Sequence, residues 1–475
     1  MRLLIAGGGG FRVPLIYRAL VTGSFSGLVT ELVLYDVDPA RLEAVTAVLK
    51  SMPGSHGAPL RVRATTDPAK ALAGAAMVFA AMRPGGTGGR VADEKVARDL
   101  GLLGQETTGA GGISYALRTI PHMLRLARRM REQCPDAWLV NFTNPVGMVT
   151  EALLPVLGHR VIGICDSAGG LVHRAARAAA IPLPEGNLDG VGYYGLNHLG
   201  WLYRLESGGR DVLPGLLADA EALQSFEEGR LFPQPFLAKL GLLPNEYLYY
   251  YYRSGEARQA MRAMAQTRGE TIHGQQLELY PRLAAAGPDA YRLWEEARRS
   301  REEGYLAEAR RDGGSRDDED LAGGGYERVA LAAMRALFGG GDTQLILNTR
   351  NSLPPPDEPI PSAPRPATTV PATSQPAVPG LPADAVVEVP CTVTADGAVP
   401  LPQRPPDGPQ LELLQRVKEV EQLTVNAATT GNRTAALEAF SRHPLVDSAE
   451  LAAKLLAGYE QAFPDLGKMW EGRWR

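Results

Sequence analysis

The apolar run Leu3 to Ala6 stops at four consecutive glycines, Gly7, Gly8, Gly9 and Gly10, and a segment of helical period with Pro14 near its start follows. Few folds use that succession: a short buried strand turns tightly, through residues without side chains, into a helix whose N-terminus faces the turn. Glycines there let the backbone approach a pyrophosphate, which the free N–H groups and the positive end of the helix dipole then hold. A second apolar run, Glu31 to Tyr35, closes on Asp36. A carboxylate at that strand end accepts hydrogen bonds from both ribose hydroxyls of an adenosine and repels a 2′-phosphate. A tight turn would also account for the glycines, but the order strand, glycines, helix, strand, aspartate favours a dinucleotide.

The alternation continues. Met77 to Ala81, Trp138 to Phe142 and Val161 to Ile164 read as further buried parallel strands, while Pro14 to Val21, Arg41 to Leu49 and Ile113 to Arg131 carry helical periodicity. The expected fold is α/β: a Rossmann-like, doubly wound parallel sheet over residues 1–190, then a mixed α+β unit over 191–475. That second unit opens on the strand-like stretch VGYYGLNHLGWLYRL, and VVEVPCTV with GAVPL reads as a hairpin before two or three closing helices. A polar, glycine-rich stretch covers 311–325, and residues 354–382 hold eleven prolines. Proline at that density supplies neither ladder nor helix hydrogen bonds, so the second stretch is expected to be an extended, flexible surface insert.

Charge narrows the partners. With 49 Lys+Arg against 53 Asp+Glu, the net charge of -4 gives no general attraction to nucleic acid or to an anionic membrane. The N-terminal run is too short for a signal sequence, and no run of about 18 apolar residues occurs, so no membrane span is expected. Three widely spaced cysteines, Cys134, Cys165 and Cys391, fit neither a disulfide framework nor a metal knuckle, which suits a reducing cytoplasm.

Several strand ends carry chemistry. The segment GQETTGAGGISYALRTIP (104–121) cannot be helical before Ile113 and is either a long connection or a loop lining a pocket at the sheet's carboxyl edge. Asn144, before Pro145, can cap a helix or meet a ligand. Cys165 and Asp166 end another strand, and His198 follows in GLNHLGW. A cysteine there is more often a small buried hydrophobe and a single histidine a packed side chain. Thiolate plus imidazole is also a donor pair for a divalent transition ion whose remaining positions stay open to a substrate. Tyr247 and Tyr249 to Tyr252 cannot share one helix face, so some pack inward while others can face a pocket or a subunit boundary. Arg268, in QTRGET, has a fork that suits a phosphate.

Taken in order, GGGG, LYDVD, AMRPGG, GQETTGAGGISYALRTIP, NFTNPV, GICDS, GLNHLGW, PNEYLYYYY, QTRGE and VVEVPC resemble glycoside hydrolase family 4 over nearly the whole chain. That family comprises NAD- and metal-dependent glycosidases, typified by 6-phospho-β-glucosidases and 6-phospho-α-glucosidases, and departs from the usual paired-carboxylate chemistry. The resemblance implies that NAD+ removes hydride from C3 of the sugar to leave a ketone that acidifies the C2 proton, that a tyrosine takes that proton while Mn2+ stabilises the enolate, and that the C1 group then leaves. Water then adds at C1 and the hydride returns. On this chain it implies Cys165 and His198 as metal ligands, Tyr247 as the C2 base and Asp166 as the acid. Gly7 to Gly10, Asp36 and Arg83 fall to the cofactor, and Arg90, Asn144 and Arg268 to the sugar and its phosphate. It further implies a phosphorylated disaccharide or glucoside as substrate, a 6-phospho-β-glucoside first, and a homodimer or homotetramer. A 6-phospho-α-glucosidase, a glycosidase for unphosphorylated sugars, a plain NAD-dependent dehydrogenase and a non-catalytic sensor are the alternatives. Asp166 resembles α-specific members, where many β-specific ones carry Asn. Gly10 and Val13 stand where the family usually has Ser and Thr, and Ala168, Gly169 and Gly170 where proline usually follows the strand end.

Overall fold

The computed structural model describes residues 1–22, 25–54, 60–309, 325–353 and 375–473. Six parallel strands form one half of the sheet: β1 (Arg2–Ala6), β2 (Glu31–Tyr35), β3 (Arg61–Thr65), β4 (Met77–Ala80), β5 (Trp138–Asn141) and β6 (Val161–Gly163), in the spatial order β3-β2-β1-β4-β5-β6. This is the Rossmann order, and its switch point lies between β1 and β4. The strands read as continuous apolar runs because both faces are covered: Leu3 and Ile5 enter one core layer, Leu4 and Ala6 the other. The helices α1 (Val13–Thr22), α2 (Pro39–Ser51) and α5 (Ala110–Gln133) match the expected segments, with α5 starting three residues before Ile113. The polar edge strand β3 and the helix α4 (Gly86–Asp99) are among the elements that were not anticipated.

The sheet does not end at β6. Strand β11 (Thr343–Arg350) joins it antiparallel through Asn348 opposite Gly163, and β12 (Val386–Thr394), β7 (Val191–Leu196), β8 (Leu199–Ser207) and β10 (Leu243–Pro244) extend it in that order. A side chain at 163 would strike the Thr150 hydroxyl, its Cβ 2.5 Å from Oγ1, so glycine permits the change of direction. The strand-like stretch is a hairpin of two strands, with Leu196 paired to Leu199 and His198 at φ 64° in the two-residue turn between them. Histidine is among the few side chains that adopt such a conformation with any frequency. The expected hairpin of β12 with β13 (Gly397–Pro400) is present.

Four helices close the chain, Gly408–Thr430, Arg433–Arg442, Ala449–Ala462 and Asp465–Trp470, where two or three were expected. The first packs across α5 and α6 (Val146–Leu157), and Lys418 there is buried between Glu151 (2.9 Å) and Glu421 (2.5 Å). The reading of 354–382 as a flexible surface insert is corrected at its end: Ala377, Val378 and Leu381 are buried, and the Asn351 amide donates to the carbonyls of Val378, Leu381 and Pro382. Residues 354–374 lie outside the described residues, as does the stretch 311–325 except for Gly325. Among the described residues no helix is long and apolar enough to cross a membrane.

The Lys418 cluster can be tested directly. Lys418→Met strands two buried carboxylates, and urea unfolding at neutral pH should show a loss of about 3–5 kcal/mol. Replacing Glu151 and Glu421 by Gln in the same variant should recover most of that loss.

Candidate active site

A cavity of about 1070 Å³ opens at the carboxyl ends of the parallel strands, beside the switch point. Gly7 and Gly10 from the turn after β1, Asp36 from β2, Arg83 from β4, Asn144 from β5, and Cys165 and Asp166 from β6 all line it. So do Arg90 of α4, His198 of the β7–β8 turn, Tyr247, and Arg268 at the start of the helix Arg268–Ala285. Of the residues that the resemblance assigns to cofactor, metal, substrate or catalysis, all but Gly8 and Gly9 line it. Gly8 packs on Leu34, and the Gly9 N–H donates to Asp36 Oδ2 at 3.0 Å. Gly7 carries φ 94° with its Cβ position 2.4 Å from the Ala81 carbonyl oxygen, a place only glycine can take.

His198 is held on two sides. Its Nδ1 lies 3.0 Å from the Thr107 hydroxyl, and its ring stacks on Tyr247 with centroids 3.7 Å apart and planes 7° from parallel. Burial drives the imidazole pKa down to about 3, so the ring is neutral, and Thr107 engages Nδ1 rather than Nε2. Cys165 is a buried free thiol, its Sγ 4.0 Å from Asp166 Oδ1. Burial first, then Glu388 and Asp166, push that thiol well above its ordinary range. Among the described residues no third His, Cys, Asp or Glu completes a metal cluster with them. A thiol and a neutral imidazole in one cavity fit an ion that leaves several positions to oxygen ligands.

Tyr247 is buried, and its hydroxyl is 3.1 Å from that of Tyr305. Tyr305 also reaches Glu246 Oε1 at 3.3 Å, and Ser167 donates to the same oxygen at 2.6 Å. Burial, then Glu246 and Cys165, hold the Tyr247 phenol well above its usual pKa, so the protein alone does not supply a phenolate. Asp166 faces Arg12 at 4.0 Å. Asn144 is no helix cap: Pro145 precedes α6 without a side-chain cap, and Asn144 Oδ1 is buried without a partner among the described residues.

The model of the family 4 glycosyl hydrolases matches residues 2–181, and that of the family's C-terminal domain matches 193–446. The chain belongs to glycosyl hydrolase family 4. It is 26% identical to the 6-phospho-β-glucosidase of Escherichia coli, over 98% of this chain and 96% of that one. It is 28% identical to 6-phospho-α-glucosidase 1 of Lacticaseibacillus paracasei, over 96% and 95%. Its fold superposes with a TM-score of 0.76 and 26% identity on the 6-phospho-β-glucosidase of Thermotoga maritima, solved with manganese, NAD+ and glucose 6-phosphate, over 98% of this chain and 99% of that one.

Within this family 4 cavity, the arginines are more committed than their sequence suggested. Arg83 and Arg90 both bind Glu106, at 2.5 and 2.8 Å, and Arg90 also binds Glu94 at 2.7 Å. Burial works against ionisation of Glu106, yet Arg83 and Arg90 hold it down to about 2. Arg268 donates to the carbonyls of Arg301 (3.0 Å) and Gly304, tying the end of the helix Ala290–Glu303 to the cavity. Sequence reasoning passed over Thr107 as an orienting group, and over Glu246, Tyr305 and Arg301 altogether. The first sits in the loop already suspected of lining the pocket, whereas Tyr305 and Arg301 belong to no recognisable pattern.

Glu246 has a consequence for stability. Burial and Glu228 raise its pKa from 4.5 to about 8, so between those values the folded chain holds a proton that the unfolded chain releases. That contribution is complete below 4.5 and is lost as pH rises through 8. Thermal unfolding of Glu246→Gln should therefore show a Tm that gains on wild type as pH goes from 5 to 8.5. A constant difference across that range would place the proton elsewhere.

Proposed function

We propose that this chain hydrolyses 6-phospho-glucosides, β-linked ones first, to glucose 6-phosphate and an alcohol, using NAD+ and Mn2+. The observation that carries the reading is the meeting, in one cavity, of a dinucleotide turn with its ribose aspartate, a thiol–imidazole pair, a buried tyrosine and several arginines. NAD+ supplies a hydride acceptor that is restored each turnover, and the divalent ion supplies a Lewis acid.

The chain's own residues have defined tasks. Asp36, already oriented by the Gly9 N–H, turns its remaining lone pairs to the ribose hydroxyls. Thr107 fixes His198 so that Nε2 is the nitrogen offered to the ion. Cys165 must give up its proton when the ion binds, so affinity for the ion rises with pH. A cation beside Tyr247 opposes the burial that keeps the phenol protonated, and brings it within reach of accepting the C2 proton. Asp166, on the cavity wall, is the proton donor to the departing oxygen. Its carboxylate is also the one feature that favours the second reading, a 6-phospho-α-glucosidase. A cytoplasmic location and a homodimer or homotetramer belong to the same proposal.

A panel of aryl 6-phospho-β- and α-glucosides and their dephosphorylated counterparts, with Mn2+ and substoichiometric NAD+, tests this reading. Many turnovers per NAD+, without growth of the NADH absorbance, are expected for the 6-phospho-β-glucoside. NADH accumulating in step with cleavage would mean a dehydrogenase, and turnover of the dephosphorylated sugar alone would remove the phosphate from the proposal.

A further inference from the structure

The cavity contains an arginine that the tasks above leave unused. Arg301 lies in the last turn of the helix Ala290–Glu303, lines the cavity, and lays its guanidinium over the ring of Phe11, 4.1 Å from the centroid. Phe11 directly follows the glycine turn. Close by, the Tyr280 hydroxyl donates to the Gly9 carbonyl at 2.8 Å, so Arg301 stands where the turn and the helix Arg268–Ala285 converge.

Its neighbours are accounted for and it is not. Arg12 is paired with Glu302 and Asp166, Arg83 and Arg90 share Glu106, and Arg268 holds two carbonyls. Arg301 makes no ion pair among the described residues, and its Nη1 is buried without a hydrogen-bond partner. Burial, with Arg12 and Arg268 adding like charge, lowers its pKa to about 9. A half-buried guanidinium with a buried, unpartnered Nη1 and two like charges beside it is a costly arrangement that a bound anion relieves. The glycine turn itself, GGGGFRV, has no side-chain hydroxyl to offer a phosphate. A second donor from outside the turn is therefore what a phosphate there would need.

We propose that Arg301 is a phosphate-binding residue of this chain, donating from its guanidinium to a ligand phosphate oxygen at the end of the cavity next to the glycine turn. This rests on the proposed function, and the phosphate is either the dinucleotide's pyrophosphate or the sugar's 6-phosphate. Arg301 is placed by Phe11 and by its own backbone, whose carbonyl receives Arg268, so its head group is not needed to hold the fold.

The test is calorimetric titration of NAD+ and, separately, glucose 6-phosphate into wild type, Arg301→Met and Arg301→Lys, with the Tm of each unliganded protein. The methionine keeps a long apolar stem over Phe11, and the lysine restores charge without the fork. Affinity for one ligand should fall about 10- to 100-fold in Arg301→Met, the worth of one charge-assisted hydrogen bond, and less in Arg301→Lys. The ligand that weakens identifies which phosphate is held. Unliganded Arg301→Met should match or exceed the wild-type Tm, because like-charge crowding is relieved. Unchanged affinities for whichever ligands wild type binds, or a lowered Tm with affinities intact, would overturn the proposal and leave the proposed function standing. Wild type that binds neither ligand would overturn both.

Discussion

One buried carboxylate joins the two halves of the sheet at the place where the cavity needs them joined. Glu388 of β12 accepts hydrogen bonds from Asn348 of β11 (2.9 Å), Asn197 of the β7–β8 turn (3.3 Å) and Tyr193 of β7 (3.0 Å). Asn348 is the residue that pairs with Gly163 at the end of β6, two positions before Cys165. Asn197 precedes His198. The thiol thus comes from the last parallel strand and the imidazole from the first antiparallel hairpin, and Glu388 spans the two. Burial raises that carboxyl to about 7, against the pull of its three donors, which is the cost of placing a titratable group at this junction.

The rest of the cavity follows from how charge is distributed around that junction. Glu106 neutralises Arg83 and Arg90 on one wall, and Glu302 with Asp166 answers Arg12 on another. The groups assigned the chemistry, Cys165, His198 and Tyr247, are all kept uncharged by burial until a ligand arrives. A site built this way does little by itself, and its reactivity is switched on by the charge of what it binds. Arg301, whose Nη1 finds no hydrogen-bond partner among the described residues, is where we place a ligand's negative charge.

Much of this was legible in the residues. Five of the six parallel strands announce themselves as apolar runs, and the glycine turn with Asp36 points to the switch point before any coordinate is known. What escaped did so for physical reasons. Strand β3, RVRAT, is a half-exposed edge and lacks the apolar signal of its neighbours. Helix α4 begins with Gly86, Gly88 and Gly89, poor helix formers that its packing overrides. The turn at His198 hides inside a run of strand formers, since only a positive φ distinguishes it. Arg301 reaches the cavity from a polar helix far along the chain and Tyr305 from the turn just after it, and no local pattern carries that information. The buried end of the proline-rich stretch was missed because composition describes the segment as a whole, while Ala377, Val378 and Leu381 are fixed individually by Asn351 and the core.

The central claim is that the glycosidic bond is broken by way of the C2 proton, not by direct displacement at C1. Turnover of a 6-phospho-glucoside in D2O, with the product analysed by NMR, reads this directly. The account predicts deuterium at C2 of the glucose 6-phosphate formed, because the base exchanges its proton with solvent before it is returned. Product carrying only the original hydrogen at C2 would contradict the account.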